Sequence, residues 1–153
     1  MYKRYTHEGG VATPLIVHWP AGLKSQGELR HAPSHIIDIA PTCLSAAGLS
    51  VKGMEGKSLL PVFVRDSKEE RTLYWEHEGN RAVRKGNYKL VAMHDAPWEL
   101  YDMNKDRSEL NDLSKKMIGK AKELRFLYEA WAKRVGALSW NEVMVTRKKK
   151  IKK

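Results

Sequence analysis

Three rhythms of apolar and polar residues run along this chain of 153 residues. Near its start Leu15-Ile16-Val17 is apolar at successive positions, entered through Pro14 and stopped by Pro20. That is the pattern of a short strand covered on both faces, as in an α/β sheet with helices on each side. Gly9-Gly10 just ahead supplies positions free to take φ > 0, and so a turn feeding that strand. From residue 72 the rhythm changes. Thr72–His77, Arg81–Arg84, Tyr88–Met93 and Trp98–Asp102 are short β-branched or aromatic runs, punctuated by Gly79-Asn80, Lys85-Gly86-Asn87 and Asp95-Ala-Pro97. Runs so closely spaced pair as antiparallel hairpins. The alternation of Tyr88, Leu90 and Ala92 against Lys89 and Val91 is imperfect and leaves the buried face open. The third rhythm begins near Ser114, where Met117, Ala121, Leu124, Tyr128, Trp131 and Val135 recur at spacings of four and three before Gly136. It predicts an amphipathic helix whose stripe covers the antiparallel sheet.

Between these stretches the chain is less regular. Residues 21–33 show no periodicity and read as an exposed connection, whereas Asp38 suits the N-cap of a short helix with Pro41 in its first turn and Gly48 at its end. Residues 48–71 are loop-like except around Ser58–Val64, and the charged run Arg65–Arg71 marks a subdomain boundary. The expected organisation is therefore residues 1–64 as one piece, 65–138 as an antiparallel sheet with its helix, and 139–153 as a basic, disordered tail.

The formal charge of +10 points to anionic partners, but six positive charges sit in Arg147–Lys153 and much of the remainder on the last helix as Lys115, Lys116, Lys120, Lys122, Arg125, Lys133 and Arg134. The aromatics fall in the apolar stripe instead of interleaving with these lysines, so a solvated face is expected and nucleic acid is not. Cys43 is the single cysteine, which allows no internal disulfide, and its neighbours Pro41, Leu44, Ala46 and Ala47 suggest a small buried side chain. No apolar run approaches the roughly 18 residues of a membrane span, and no membrane partner is expected.

Lys3, His7 and Glu8 crowd just before the expected strand, the place where open α/β sheets bind ligands. Lys3, five residues before Glu8-Gly9-Gly10, with Pro14-Leu-Ile-Val-His-Trp-Pro20 following, resembles the late active-site segment of the sulfatases, most of all the arylsulfatase-like branch of the alkaline-phosphatase-like superfamily. Ile37-Asp38-Ile-Ala-Pro41-Thr42, Glu55-Gly56-Lys-Ser58-Leu-Leu-Pro61, Tyr74–Val91, Trp98–Asp102 and Glu109–Leu113 fit the same family in the same order. Several ordered motifs are far more specific than one.

The resemblance implies an α/β fragment plus α+β, in which the end of the large sulfatase α/β domain is followed by a small antiparallel sheet packed on a C-terminal helix. It implies a sulfuric ester hydrolase acting on a sulfate ester substrate, with the N-terminal sulfatase portion as a partner, and suggests a periplasmic or extracellular location. Lys3 matches the family lysine that contacts the substrate sulfate, which gives it a catalytic role; His7, His77, Asn80 and Arg81 are expected at the substrate. Such hydrolysis needs a nucleophile and cations around the sulfuryl oxygens. In the family these are a formylglycine, made from the cysteine of Cys-x-Pro-Ser-Arg, and a calcium ion. Cys43 is followed by Leu-Ser-Ala-Ala, and no Asp-Asp or Asp-Asn metal motif occurs. Formylglycine and calcium ligands are thus expected outside this chain, which alone should be inactive. Ala12 stands where many relatives have arginine, leaving the branch open. The alternative is a polyanion-binding module that holds nucleic acid or sulfated glycan on the basic helix and tail.

Overall fold

The computed structural model describes residues 3–24, 27–67 and 70–151, with side chains through 147. Lys68 and Glu69 of the charged run, and Lys152 and Lys153 of the basic tail, lie outside the described residues. The chain divides into two compact units, Met1–Pro14 with Glu70–Lys153, and Leu15–Glu69. This differs from the boundary expected at 64: the first fourteen residues join the antiparallel sheet, because Glu8 and His7 are bonded to strand residues far along the chain.

In the first unit, β1 (Thr72–His77), β2 (Asn80–Lys85), β3 (Tyr88–Ala92) and β4 (Glu99–Asp102) form an antiparallel meander in the order β1-β2-β3-β4. The register pairs Tyr74 with Val83, Val83 with Leu90 and Leu90 with Leu100, so these four share one face. Against it lies α4 (Ile118–Val135), which contributes Leu124 and Tyr128, with Met117, Ala121 and Trp131 at the margin. The expected stripe is therefore the packed one, except that Val135 is exposed. Trp131 stacks flat on Tyr74 at 4.9 Å, and Trp98 meets Tyr128 edge-on at 5.4 Å. Gly136, at φ 69°, ends α4 in the left-handed conformation.

The opposite face is also covered. Ala82, Val91, Tyr101 and Met103 form a second buried cluster there, with Trp75 against it. Two-sided burial explains the imperfect alternation of β3, whose Lys89 is fully buried beside Val91.

In the second unit a 3₁₀ turn (Ile36–Asp38) leads into α2 (Ile39–Ala46), and α3 (Leu60–Val64) follows with Pro61 in its first turn. Asp38 occupies the N-cap position of α2, as expected, but its side chain makes no cap hydrogen bond to that helix. Its buried carboxylate closes a capping box on His35 and accepts the Lys57 N–H at 2.9 Å, while Thr42 Oγ1 accepts from Leu59 N–H at 2.8 Å. These bonds tie the Asp38–Thr42 motif to the Gly56–Leu59 motif. A Cβ on Gly56 would collide with the Ile37 carbonyl, which is why a glycine stands there. Cys43, expected to be buried, is exposed, because the packed side of the short α2 is taken by Pro41 and Thr42.

Two more expectations are corrected. Leu15-Ile16-Val17 is not a strand: it joins no sheet ladder among the described residues, and Ile16 is 88% exposed. Residues 140–151 are not an irregular tail but a helix, α5 (Trp140–Ile151). Ser139 and Glu142 form its capping box, with Ser139 N–H and Oγ both donating to the Glu142 carboxylate at 2.8 and 2.6 Å.

Candidate functional site

The segment that carries Lys3 is fastened to the sheet at three points. At the first, residues 3 and 4 form a tight turn with Lys3 at φ 48°, a conformation uncommon outside glycine. The Arg4 carbonyl accepts from Asn80 Nδ2 at 3.2 Å, and the Arg4 guanidinium pairs with Glu78 at 3.1 Å. Asn80 is itself buried, and its amide also donates to the His77 carbonyl at 3.0 Å and accepts from the His94 N–H at 3.3 Å. One side chain thus joins the Lys3–Arg4 turn to both strands of the β1–β2 hairpin. The turn of that hairpin is Glu78-Gly79, both at positive φ, and Asn80 already belongs to β2.

The second point is His7, 5% exposed, whose Nε2 lies 3.1 Å from Glu99 Oε2. Tyr101 donates its hydroxyl to the same carboxylate oxygen at 3.1 Å. Burial and the neighbouring Glu99 hold the Tyr101 phenol well above its ordinary range, so it remains a donor. The Nδ1 of His7 and the Oγ1 of Thr6 are buried without a hydrogen-bond partner among the described residues.

The third is an ion cluster around Lys89. Its ammonium lies 3.0 Å from Glu8 and 2.8 Å from Glu109, and Glu109 also accepts the Glu8 N–H at 2.7 Å. Arg107 stands 3.7 Å from Glu8 at the edge. Arg84 is part-buried nearby; desolvation pulls its guanidinium below the ordinary value, opposed by the charge of Glu8. Glu8 opens α1 (Glu8–Val11), a single helical turn. Neither Gly9 nor Gly10 has positive φ; Gly10 is required because a Cβ there would strike the Tyr5 carbonyl.

Among the expected site residues, Lys3 and His77 are exposed and connected through Asn80. Asn80 has its polar atoms committed to backbone groups, and His7 is interior. Arg81 points to the other face, its guanidinium 4.7 Å above the Trp98 ring, as strand alternation after Asn80 requires. Reading the sequence missed Arg4, Lys89, Glu99 and Glu109. The one available signal was Lys89, a charge in the middle of a strand apolar on both faces.

Among the described residues, no group of three or more His, Cys, Asp or Glu side chains is arranged to hold a metal ion. Nor is any helix among the described residues long and apolar enough to cross a membrane.

The family described as N-sulphoglucosamine sulphohydrolase, C-terminal, matches residues 1–125. The chain belongs to the sulfatases, in their C-terminal region. This sulfatase region is 31% identical over 148 residues to an uncharacterized sulfatase of Schizosaccharomyces pombe, a match covering 84% of the chain and 26% of that protein. It is 32% identical over 145 residues to an N-acetylglucosamine-6-O-sulfatase of Bacteroides thetaiotaomicron, covering 83% and 26%. It therefore spans about a quarter of the length of these relatives. A structure solved in connection with the metabolism of multiple glycosaminoglycans by B. thetaiotaomicron superposes with a TM-score of 0.70 over 84% of this chain and 30% of its own, at 22% identity, a likeness of fold.

Proposed function

We propose that this sulfatase region supplies the sulfate-contacting cation of a sulfuric ester hydrolase, with Lys3 at the sulfuryl group and His77 at the rim of the cleft. The observation that carries this is the Arg4–Asn80–His77 linkage, which holds the Lys3 turn and the hairpin in one fixed arrangement. Fixed position matters because an ammonium stabilises developing charge best when it does not reorganise during the reaction. His7, Glu8, Lys89 and Glu109 hold the segment from beneath; Asn80 holds it from the side. The substrate is a sulfate ester, with a sulfated sugar favoured by the activity named for the Bacteroides relative. Calcium and the formylglycine nucleophile belong to sequence outside these residues, and a periplasmic or extracellular location remains part of this reading.

The test is hydrolysis of an aryl sulfate by the purified chain, alone and mixed with a formylglycine-bearing N-terminal sulfatase portion. The chain alone releases no phenol. In the mixture, Lys3→Ala lowers turnover roughly 100- to 1000-fold, the usual effect of losing one charge-stabilising donor. Turnover by the chain alone that disappears in Lys3→Ala would overturn the division of labour, and a mixture indifferent to Lys3 would overturn its role.

A further inference from the structure

Asn80 gathers the strained backbone of the first unit around one side chain. Among the described residues four that are not glycine have positive φ. Three of them, Lys3 at 48°, Glu78 at 52° and Asp95 at 57°, each adjoin a residue whose backbone the Asn80 amide holds, namely Arg4, His77 and His94. Aspartate tolerates that conformation, but lysine and glutamate rarely take it, and such outliers gather where a side chain has to be aimed. Two of the three aim a carboxylate at a neighbour: Glu78 pairs with Arg4 at 3.1 Å and Asp95 with His94 at 3.3 Å. The His94 imidazole also closes the rim, because it lies where a Cβ on Gly79 would come within 2.7 Å of its Nδ1. Glu76 accepts the Gly79 N–H at 2.9 Å and fixes the turn. The Lys3–Arg4 turn, the tip of the β1–β2 hairpin and the loop after β3 are therefore contiguous.

The charges along this rim balance. Its carboxylates are Glu76, Glu78 and Asp95; its cations are Lys3, Arg4 and Arg147, the last lying 5.6 Å from the ring of Trp140, whose Cβ adjoins Gly79. Arg4 is paired with Glu78 and Arg147 stands over an aromatic ring, so of these three cations Lys3 alone has neither kind of partner among the described residues. One free cation suits one sulfate. The carboxylates around it only accept hydrogen bonds, which the hydroxyls of a sugar can donate. A second sulfate or a carboxylate on the sugar has nothing to donate and meets like charge, a repulsive element of the kind that sets specificity.

We infer that Glu78 and Asp95 are specificity-determining residues of a sugar-hydroxyl subsite around Asn80, which selects a sulfate ester flanked by free hydroxyls over one flanked by a second anionic group. This rests on the reading of Lys3 given above and adds the class of sugar that the rim takes. Arg4 and His94 serve here by orienting the two carboxylates.

The test titrates the full ¹⁵N-labelled chain and its Glu78→Gln/Asp95→Asn variant, at low salt, with N-acetylglucosamine 6-sulfate and with N-acetylglucosamine 4,6-disulfate, two sugars that differ by one hydroxyl against one sulfate. The amides of the variant keep an oxygen that accepts a hydrogen bond, so its spectrum should match the parent's away from the rim. Expected in the parent is roughly fivefold tighter binding of the monosulfate, the size that two exposed like-charge contacts reach, and in the variant a ratio close to one. The inference is overturned by a parent that binds the disulfate as tightly as the monosulfate, by a ratio that the variant leaves unchanged, or by saturable shifts with neither sugar. Lys3→Ala separates the two readings. If it leaves both affinities unchanged while their ratio still answers to Glu78 and Asp95, the Lys3 reading fails and the subsite stands. If it weakens both sugars while the ratio ignores Glu78 and Asp95, the subsite fails and the Lys3 reading stands.

Discussion

Lys89 offers the sharpest perturbation. Its ammonium is fully buried and faces two carboxylates, those of Glu8 and Glu109, themselves 13% and 5% exposed as side chains. Lys89→Met keeps the length of the side chain and removes the charge, leaving two like charges in the interior with no cation in contact with both. Breaking a buried pair in this way costs about 3–5 kcal/mol. With a urea slope of about 2 kcal/mol per molar, the unfolding midpoint should fall by roughly 1.5–2.5 M. The same reasoning predicts recovery. In the triple variant Lys89→Met/Glu8→Gln/Glu109→Gln no charge remains stranded, and the amide oxygen brought in by Glu109→Gln can still accept the backbone N–H of position 8. Most of the lost stability should return, since replacing a whole buried ion cluster is often close to neutral. Urea titrations of parent, single and triple variants by fluorescence decide it. A single variant within about 1 kcal/mol of the parent, or a triple variant no better than the single, would refute the reading of this cluster as the clamp beneath Lys3.

Asp38→Ala should take the acceptor from the part-buried N–H groups of His35 and Lys57 and cost the second unit about 2 kcal/mol. Hydrogen exchange should quicken over residues 36–46 and stay unchanged over 88–92; equal effects on both would contradict independent units. Trp131→Ala removes a ring stacked on Tyr74 and should cost about 3 kcal/mol, at the low end for tryptophan because the residue is only half-buried. A midpoint that does not move would show that the α4 stripe is not the core. Burial pushes the Tyr128 phenol up to about 12, above its unfolded value near 10. Its contribution to stability is therefore complete below pH 10 and lost as pH rises towards 12, the unfolded chain releasing that proton first. Stability curves at pH 9 to 12 for the parent and Tyr128→Phe should diverge in that window, and parallel curves would count against it.

The small sheet and its helix were legible in the sequence because their signals are local: turn residues between β-branched runs, and a stripe at helical spacing. The ordered motifs made the family legible too. What was not legible depended on partners distant in sequence. Leu15-Ile16-Val17 has the composition of a buried strand, but a strand also needs neighbours, and composition says nothing of those. The Gly9-Gly10 pair suggested positive φ, whereas Gly10 answers the close approach of the Tyr5 carbonyl, a contact no propensity records. Asp38 does stand at the N-cap position of α2, but its carboxylate serves as a bridge, because the Lys57 N–H it holds comes from another segment. Lys89 and Glu109 escaped notice since their pairing joins β3 to the segment after β4, twenty residues on. The helix at 140–151 was missed for a different reason: the like-charge run drew attention from the Ser139–Glu142 capping box two turns earlier.

The central claim is that the turn at Lys3 receives a sulfate group. ¹⁵N-labelled chain titrated with glucosamine 6-sulfate, and separately with unsulfated glucosamine, tests it most directly. The account predicts saturable shifts at the amides of residues 3–4 and 77–80 with the sulfated sugar alone, absent in Lys3→Ala and partly restored in Lys3→Arg. Shifts equal for the two sugars, or unchanged by Lys3→Ala, would contradict it.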